Sequence, residues 1–132
     1  MNEEKNLEKL FIDEEEVSKD LLYDILAPYI RFSKKTNDIL PTRDFLKLKT
    51  DQKILVTLAA IKALFVLERR DDDKITPKEL EKLTGIKGNT LRPVLKNLYD
   101  QRIIMKGPEG GYYLPPMSIP TVKDMLKRED NK

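Results

Sequence analysis

The sequence predicts a mainly α-helical chain closed by one small β-hairpin, and three observations predict it. Residues 51–69 hold Ile54, Leu55, Leu58, Ile61, Leu64, Phe65 and Leu67 with almost no polar face, the pattern of a helix buried on most sides. Thr76-Pro77-Lys78-Glu79 is a capping box with proline at the first helical position, and Gly85 is placed to end the short helix it opens. Gly107-Pro108-Glu109-Gly110-Gly111 is a turn between two strand candidates, Arg102–Lys106 and Tyr112–Leu114.

The elements can be justified in chain order. Residues 1–12 are polar and charged around an isolated Leu10-Phe11-Ile12, and fraying is expected at their start. Asp13 can cap a helix over 14–30, with Glu14, Glu15 and Glu16 at its positive end. Val17, Leu21, Ile25 and Tyr29 recur every four residues beside Leu22 and Leu26, which gives one apolar face. That face could serve its own domain or a second copy of the chain, and Pro28 is placed to kink its end. Residues 33–50 read as a turn, Ser33-Lys34-Lys35-Thr36-Asn37-Asp38, and an extended connection anchored by Phe45, Leu46 and Leu48.

Thr50 opens the apolar helix 51–69, whose last turn carries Arg69 and Arg70 where positive charge suits the carbonyl end. Asp71-Asp72-Asp73-Lys74 is a charged loop. The capped helix then runs from Pro77 to about Leu83, and Ile86-Lys87-Gly88-Asn89 forms a tight turn. A second helix follows over about 90–100 with Leu91, Val94, Leu95 and Leu98 inward and Pro93 in its first turn, where a missing backbone donor costs nothing. Tyr112 and Tyr113 alternate along their strand, so one is expected in the core and the other partly exposed. Pro115-Pro116 stop the strand, and Pro120-Thr121 start a short final helix with Val122, Met125 and Leu126 on one side. Three regions result: an acidic N-terminal segment over 1–50, a central unit over 51–115, and a tail over 116–132.

Composition excludes much chemistry. The 132 residues contain no cysteine and no histidine. Disulfides, thiolate nucleophiles, cysteine- or histidine-ligated metals and serine triads are therefore excluded, and no cofactor is expected. An enzyme would have only carboxylates, lysines and tyrosines to work with, in no recognisable catalytic context, so none is expected. Apolar residues make up 39% of the chain but fall in blocks, which argues for a folded core and against disorder. A lysine- and glutamate-rich, cysteine-free composition also fits a thermophilic source. Met1-Asn2-Glu3-Glu4-Lys5-Asn6 lacks the basic and apolar regions of a secretory signal. The run from Ile54 to Leu67 is broken by Thr57 and Lys62 and falls short of the roughly 18–20 residues that span a bilayer. A soluble cytoplasmic protein without a membrane partner is expected.

The formal charge of +2 conceals polarity. Residues 1–20 set three lysines against eight carboxylates, a net of −5. Residues 86–106 set Lys87, Arg92, Lys96, Arg102 and Lys106 against Asp100 alone, a net of +4.

Residues 51–115 resemble the winged helix-turn-helix DNA-binding family, and within it small archaeal-type transcriptional regulators. The likeness rests on Thr76-Pro-Lys-Glu-Leu-Glu-Lys-Leu-Thr-Gly85, Asn89-Thr-Leu-Arg-Pro-Val-Leu-Lys-Asn-Leu98 and Ile103-Ile-Met-Lys-Gly-Pro-Glu-Gly-Gly-Tyr-Tyr-Leu114. It covers about half the chain and leaves 1–50 as an added N-terminal helix and connection. The resemblance implies a recognition helix over about 90–100 in the major groove of double-stranded DNA, transcriptional regulation, and a nucleoid-associated protein. Lys87, Asn89, Thr90, Arg92, Lys96, Asn97, Arg102 and Lys106 are the expected DNA-binding residues. Asparagine and arginine match adenine and guanine edges, and lysine reaches phosphates. Glu109 at the tip of a short wing opposes phosphate, so pairing of two protomers through the helix 14–30 is expected to compensate. The alternative is a winged-helix module that docks on a protein of a replication, transcription or chromatin assembly.

Other constellations are weaker. Asp71–Asp73 lacks the spacing and glycine of a calcium loop and reads as a solvated linker. Tyr112 and Tyr113 could stack on bases, but core packing is the preferred reading. Gly107, Gly110 and Gly111 belong to a hairpin and not to a strand-to-helix phosphate loop.

Overall fold

The computed structural model describes residues 6–11 and 13–129, with the side chains of 14–18 and 128–129 left aside. Ile12 of the isolated apolar triplet, and the side chains of Glu14, Glu15, Glu16 and Val17 at the start of the expected first helix, lie outside the described residues. The molecule is mainly helical, with two short antiparallel hairpins among the described residues. In chain order these are α1 (Glu14–Leu26), β1 (Ile30–Phe32), β2 (Ile39–Pro41), α2 (Arg43–Leu46), α3 (Thr50–Val66), α4 (Pro77–Thr84), α5 (Gly88–Asp100), β3 (Met105–Lys106), β4 (Tyr112–Tyr113) and α6 (Ile119–Glu129). No helix among them is long and apolar enough to cross a membrane.

α3 is the axis of the core. Every residue from Ile54 to Leu64 is buried, the polar Thr57 and Lys62 included. One apolar cluster runs through it from Leu22 in α1 to Leu126 in α6, and each large side chain so enclosed contributes about 1.5–3 kcal/mol. α1 and α6 pack on each other and on α3; α4 and α5 form a second pair against α3. Lys123 Nζ meets Asp24 Oδ2 at 3.1 Å across the first pair, and Gln52, buried near the start of α3, reaches the Met125 carbonyl.

The helix boundaries differ from expectation where the backbone turns left-handed. α3 stops at Val66 because Glu68 adopts φ 61°, with Arg69 N–H returning to the Leu64 carbonyl at 2.8 Å and Glu68 N–H to that of Phe65 at 3.0 Å. Arg69 and Arg70 thus lie beyond the last turn. Arg69 donates to Asn37 Oδ1, and Arg70 to the carbonyls of Asp72 and Lys74. At the other end Lys49, not Thr50, is the cap position, and the Gln52 side chain accepts from the Lys49 N–H at 3.0 Å.

α1 ends at Leu26, four residues short of the expected helix. Pro28 falls in the turn after it, and Ile30 enters a hairpin with β2, in register Ile30↔Pro41, Arg31↔Leu40 and Phe32↔Ile39. The expected extended connection is therefore a hairpin and a helical turn. Three-residue strands are too short to show alternation, and proline at an edge position hides the second. Within α2, Phe45 is buried while Leu46 stands 65% exposed, so the anchor is Phe45, with Leu48 half-buried. The final helix is longer than expected, with Ile119, Val122 and Leu126 buried.

Candidate nucleic-acid interface

The segment from Thr76 to Lys106 is positioned by local rules. Thr76 Oγ1 accepts from Glu79 N–H at 3.2 Å, and Glu79 Oε1 accepts from Thr76 N–H at 3.3 Å, so the capping box closes at both ends. Gly85, at φ 76°, ends α4. Thr84 Oγ1 donates to the Leu80 carbonyl at 2.6 Å and accepts from Ile86 N–H, which fixes the turn between the two helices. α5 then starts at Gly88, with Lys87 at its cap position.

That start is two residues earlier than the sequence indicates, and it relocates Pro93. Gly88 and Asn89 belong to the helix and not to the turn, and Pro93 lies in the second turn, inside the helix. With no N–H there, the Asn89 carbonyl loses its usual partner four residues on. The Cα hydrogens of Gly88 face α4: an added Cβ would stand 2.6 Å from Glu81 Oε2 and 3.7 Å from Arg92 Nη1. A carboxylate therefore sits beside the positive end of α5, a through-space neighbour that a count over 86–106 does not include.

α5 is sharply two-sided. Leu91, Leu95 and Leu98 are buried and Val94 is half-buried, while Asn89, Thr90, Arg92, Pro93, Lys96 and Asn97 are all exposed. Those six residues share one face. Lys87 is exposed at its start; Arg102 and Lys106 are exposed beyond its far end, some 20 Å away by helix rise. The eight residues thus form a strip along α5, not a single cluster. Lys96 is engaged within it: its Nζ meets Asp100 Oδ2 at 2.9 Å, and that hydrogen bond, then the carboxylate charge, raises its ammonium above the ordinary lysine value. Lys78 and Lys82 on α4 are exposed too. A sequence reading centred on α5 passes over them, although their i, i+4 spacing marks a charged face.

α5 ends as α3 does. Arg102 adopts φ 64°, Ile103 N–H returns to the Leu98 carbonyl at 3.0 Å and Arg102 N–H to that of Tyr99 at 2.9 Å. Residues 102–104 are accordingly not strand; Ile103 and Ile104 are both buried under the bend, and β3 is only Met105–Lys106. The hairpin pairs Met105↔Tyr113 and Lys106↔Tyr112. A third segment joins it: Ile75 N–H donates to the Tyr112 carbonyl at 2.9 Å and Tyr112 N–H to that of Ile75 at 2.8 Å. The residue just before the capping box is thereby tied to the hairpin, a pairing with no signal in sequence.

Both tyrosines are half-buried, in place of one inside and one outside. Tyr112 meets Tyr99 edge-on at 6.5 Å and lies under Lys106 Nζ at 5.6 Å; Tyr113 has Lys62 Nζ at 5.8 Å and Lys74 Nζ at 5.3 Å. Each ring thus has a lysine ammonium over it. Comparison with known proteins gives no parallel: no family model, curated protein or solved structure matches this chain.

The acidic loop is not a uniform solvated linker either. Asp71 and Asp72 are exposed, but Asp73 is enclosed and bound by Lys62 and Lys74. No group of three or more carboxylates able to hold a metal ion occurs among the described residues. What the Thr76–Lys106 segment offers chemically is charge and hydrogen-bond donors on a rigid, convex helix.

Proposed function

We propose that residues 51–115 are a winged helix-turn-helix that binds double-stranded DNA in a sequence-specific manner as a transcriptional regulator of the nucleoid. α5 is the recognition helix. The observation that carries this reading is the outward face of α5, where Asn89, Thr90, Arg92, Lys96 and Asn97 stand exposed on a helix whose other side is fixed by Leu91, Leu95 and Leu98. Donors for base edges sit toward the helix start, the part that enters the major groove in such motifs. Lys78 and Lys82 on the preceding helix suit the phosphates it would cross, and Lys87, Arg102 and Lys106 extend the strip. The Ile75–Tyr112 bridge supports a unitary reading, since it binds the hairpin to the start of the two-helix element.

Local charge limits the affinity of one protomer. Asp100 offsets Lys96, Glu81 stands beside Gly88, and Glu109 lies at the exposed tip of the hairpin turn. A two-fold dimer reading two half-sites compensates by placing two recognition helices on one duplex. The same three carboxylates favour a second reading, in which this face docks on a protein.

Selection of bound duplexes from a random pool tests both. Enrichment of a paired motif with half-sites about one helical turn apart supports the regulator. Failure to retain any duplex at low salt, with recovery of a stoichiometric protein partner that survives nuclease treatment, supports the docking module.

A further inference from the structure

An apolar groove of about 410 Å³ lies between α1, β1 and the end of α3. Leu22, Leu26, Phe32 and Val66 line it, with Tyr23 and Leu67 open to solvent at 72% and 54%. The charged residues that line it, Lys19 and Arg31, are both basic. Arg31 is held in place at the rim, since its Nη1 donates to the carbonyls of Ala27 at 2.6 Å and Ile30 at 2.8 Å.

The same chain presents a matching knob. Leu7–Leu10 form one turn of 3-10 helix, capped by Asn6 Oδ1 accepting from Glu8 N–H at 2.9 Å. Leu7 and Leu10 are three residues apart, hence on one side of that turn, and Phe11 follows. All three stand in solvent, at 73%, 75% and 83% exposure, so the arm does not sit in its own groove. Glu8 and Lys9 lie between them and offset each other, while residues 1–16 as a whole set two lysines against seven carboxylates, a net of −5.

We infer that the groove receives the Leu7–Phe11 arm of a second copy of this chain. An apolar turn with anchors at Leu7, Leu10 and Phe11 enters an apolar trough, a short form of helix-in-groove docking. The acidic head of one copy meets the Lys19 and Arg31 rim of the other, so charge selects this occupant and sets its direction. Each copy carries one knob and one groove, and reciprocal exchange closes a two-fold pair with no free end. The exchange deepens the dimer invoked for duplex binding and relocates it: the apolar stripe of α1 is largely spent inside its own core, and the contact between copies is made by the arm that precedes α1 and by the trough beside it.

The chain has no cysteine, so single thiols report the contact cleanly. Leu10→Cys and Tyr23→Cys both alter exposed positions. Mixed in equal amounts and oxidised, they are expected to give chiefly the mixed disulfide dimer, with little product from either variant alone. Sedimentation of the parent is expected to show a dimer, and Phe11→Asp to raise its dissociation constant roughly thirtyfold or more with unchanged circular dichroism. A parent that is monomeric at every concentration overturns the inference, as does a dimer indifferent to Phe11→Asp. An intrachain disulfide in the Leu10→Cys, Tyr23→Cys double variant also overturns it, because the arm then closes on its own groove. Mass and duplex affinity separate the two readings: a monomer that binds duplex ends this inference alone, and an arm-exchanged dimer that ignores duplex ends the DNA reading alone.

Discussion

Lys62 Nζ donates to Asp73 Oδ2 at 2.6 Å, and both side chains are nearly enclosed, at 7% and 14% exposure. A lysine in the middle of the most apolar helix thus finds its counter-charge in the loop that leads to α4. Tyr113 shelters the pair from the hairpin side, and Lys74 adds a second contact to Asp73 at 3.4 Å. One ion pair therefore joins α3, the acidic loop and β4, the three parts that orient the α4–α5 unit.

Removing one partner is expected to be costly, because it leaves a buried charge uncompensated. Asp73→Asn should lower stability by about 3 kcal/mol in urea unfolding at neutral pH, and adding Lys62→Met should recover most of the loss. A double variant as unstable as the single one would show that the loss comes from packing and not from the stranded ammonium.

The same pair sets a pH dependence. Burial works to raise the Asp73 carboxyl, but the hydrogen bonds and charges of Lys62, then of Lys74, outweigh it and hold the group below the ordinary carboxylate range. A depressed native value means the folded state binds the proton more weakly than the unfolded chain does. The stabilisation is complete above the unfolded value of about 4 and drains away as pH falls through the depressed native one. The urea midpoint of the parent should drop over that acid window, and that of Asp73→Asn should drop less.

On the α5 face, Arg92→Ala and Asn89→Ala should each weaken a selected duplex by about 1–3 kcal/mol. Asp100→Asn should act in the other direction. It frees Lys96 from its 2.9 Å partner and removes an acid from the strip, so several-fold tighter binding with a steeper salt dependence is expected. Titration at two salt concentrations reads both effects. Equal affinity in all three variants would place the duplex elsewhere.

Two helix ends give opposite predictions from one principle. Glu68 ends α3 at φ 61° without being glycine, so Glu68→Gly should stabilise by about 0.5–1 kcal/mol. Gly85 ends α4 at φ 76°, so Gly85→Ala should cost about 1 kcal/mol, although nothing lies near the added methyl. Thr76→Ala, which opens the capping box, should cost a similar ~1 kcal/mol. Thermal or urea unfolding of the three variants checks the signs.

Legibility in the amino-acid order depended on the range of the interaction involved. Features set by near neighbours were readable without coordinates. These are the buried run of α3, the Thr76–Glu79 box, the Gly85 stop, the inward leucines of α5, the Gly107–Gly111 turn, and the exclusion of histidine and cysteine chemistry. Each follows from residues within a turn or two of one another. Where α3 stops, and where the chain after α5 becomes strand, emerged only in three dimensions, because Glu68 and Arg102 turn left-handed without glycine in a way no spacing rule singles out, whereas α5 ends at Asp100 where the sequence places it. Folding likewise set the Ile30–Pro41 hairpin, the bridge from Ile75 to Tyr112, the pairing of Lys62 with Asp73, and the approach of Glu81 to the start of α5. Those contacts unite residues far apart in the chain or on separate elements. They form only once separate elements are packed together, which no local pattern of side chains encodes.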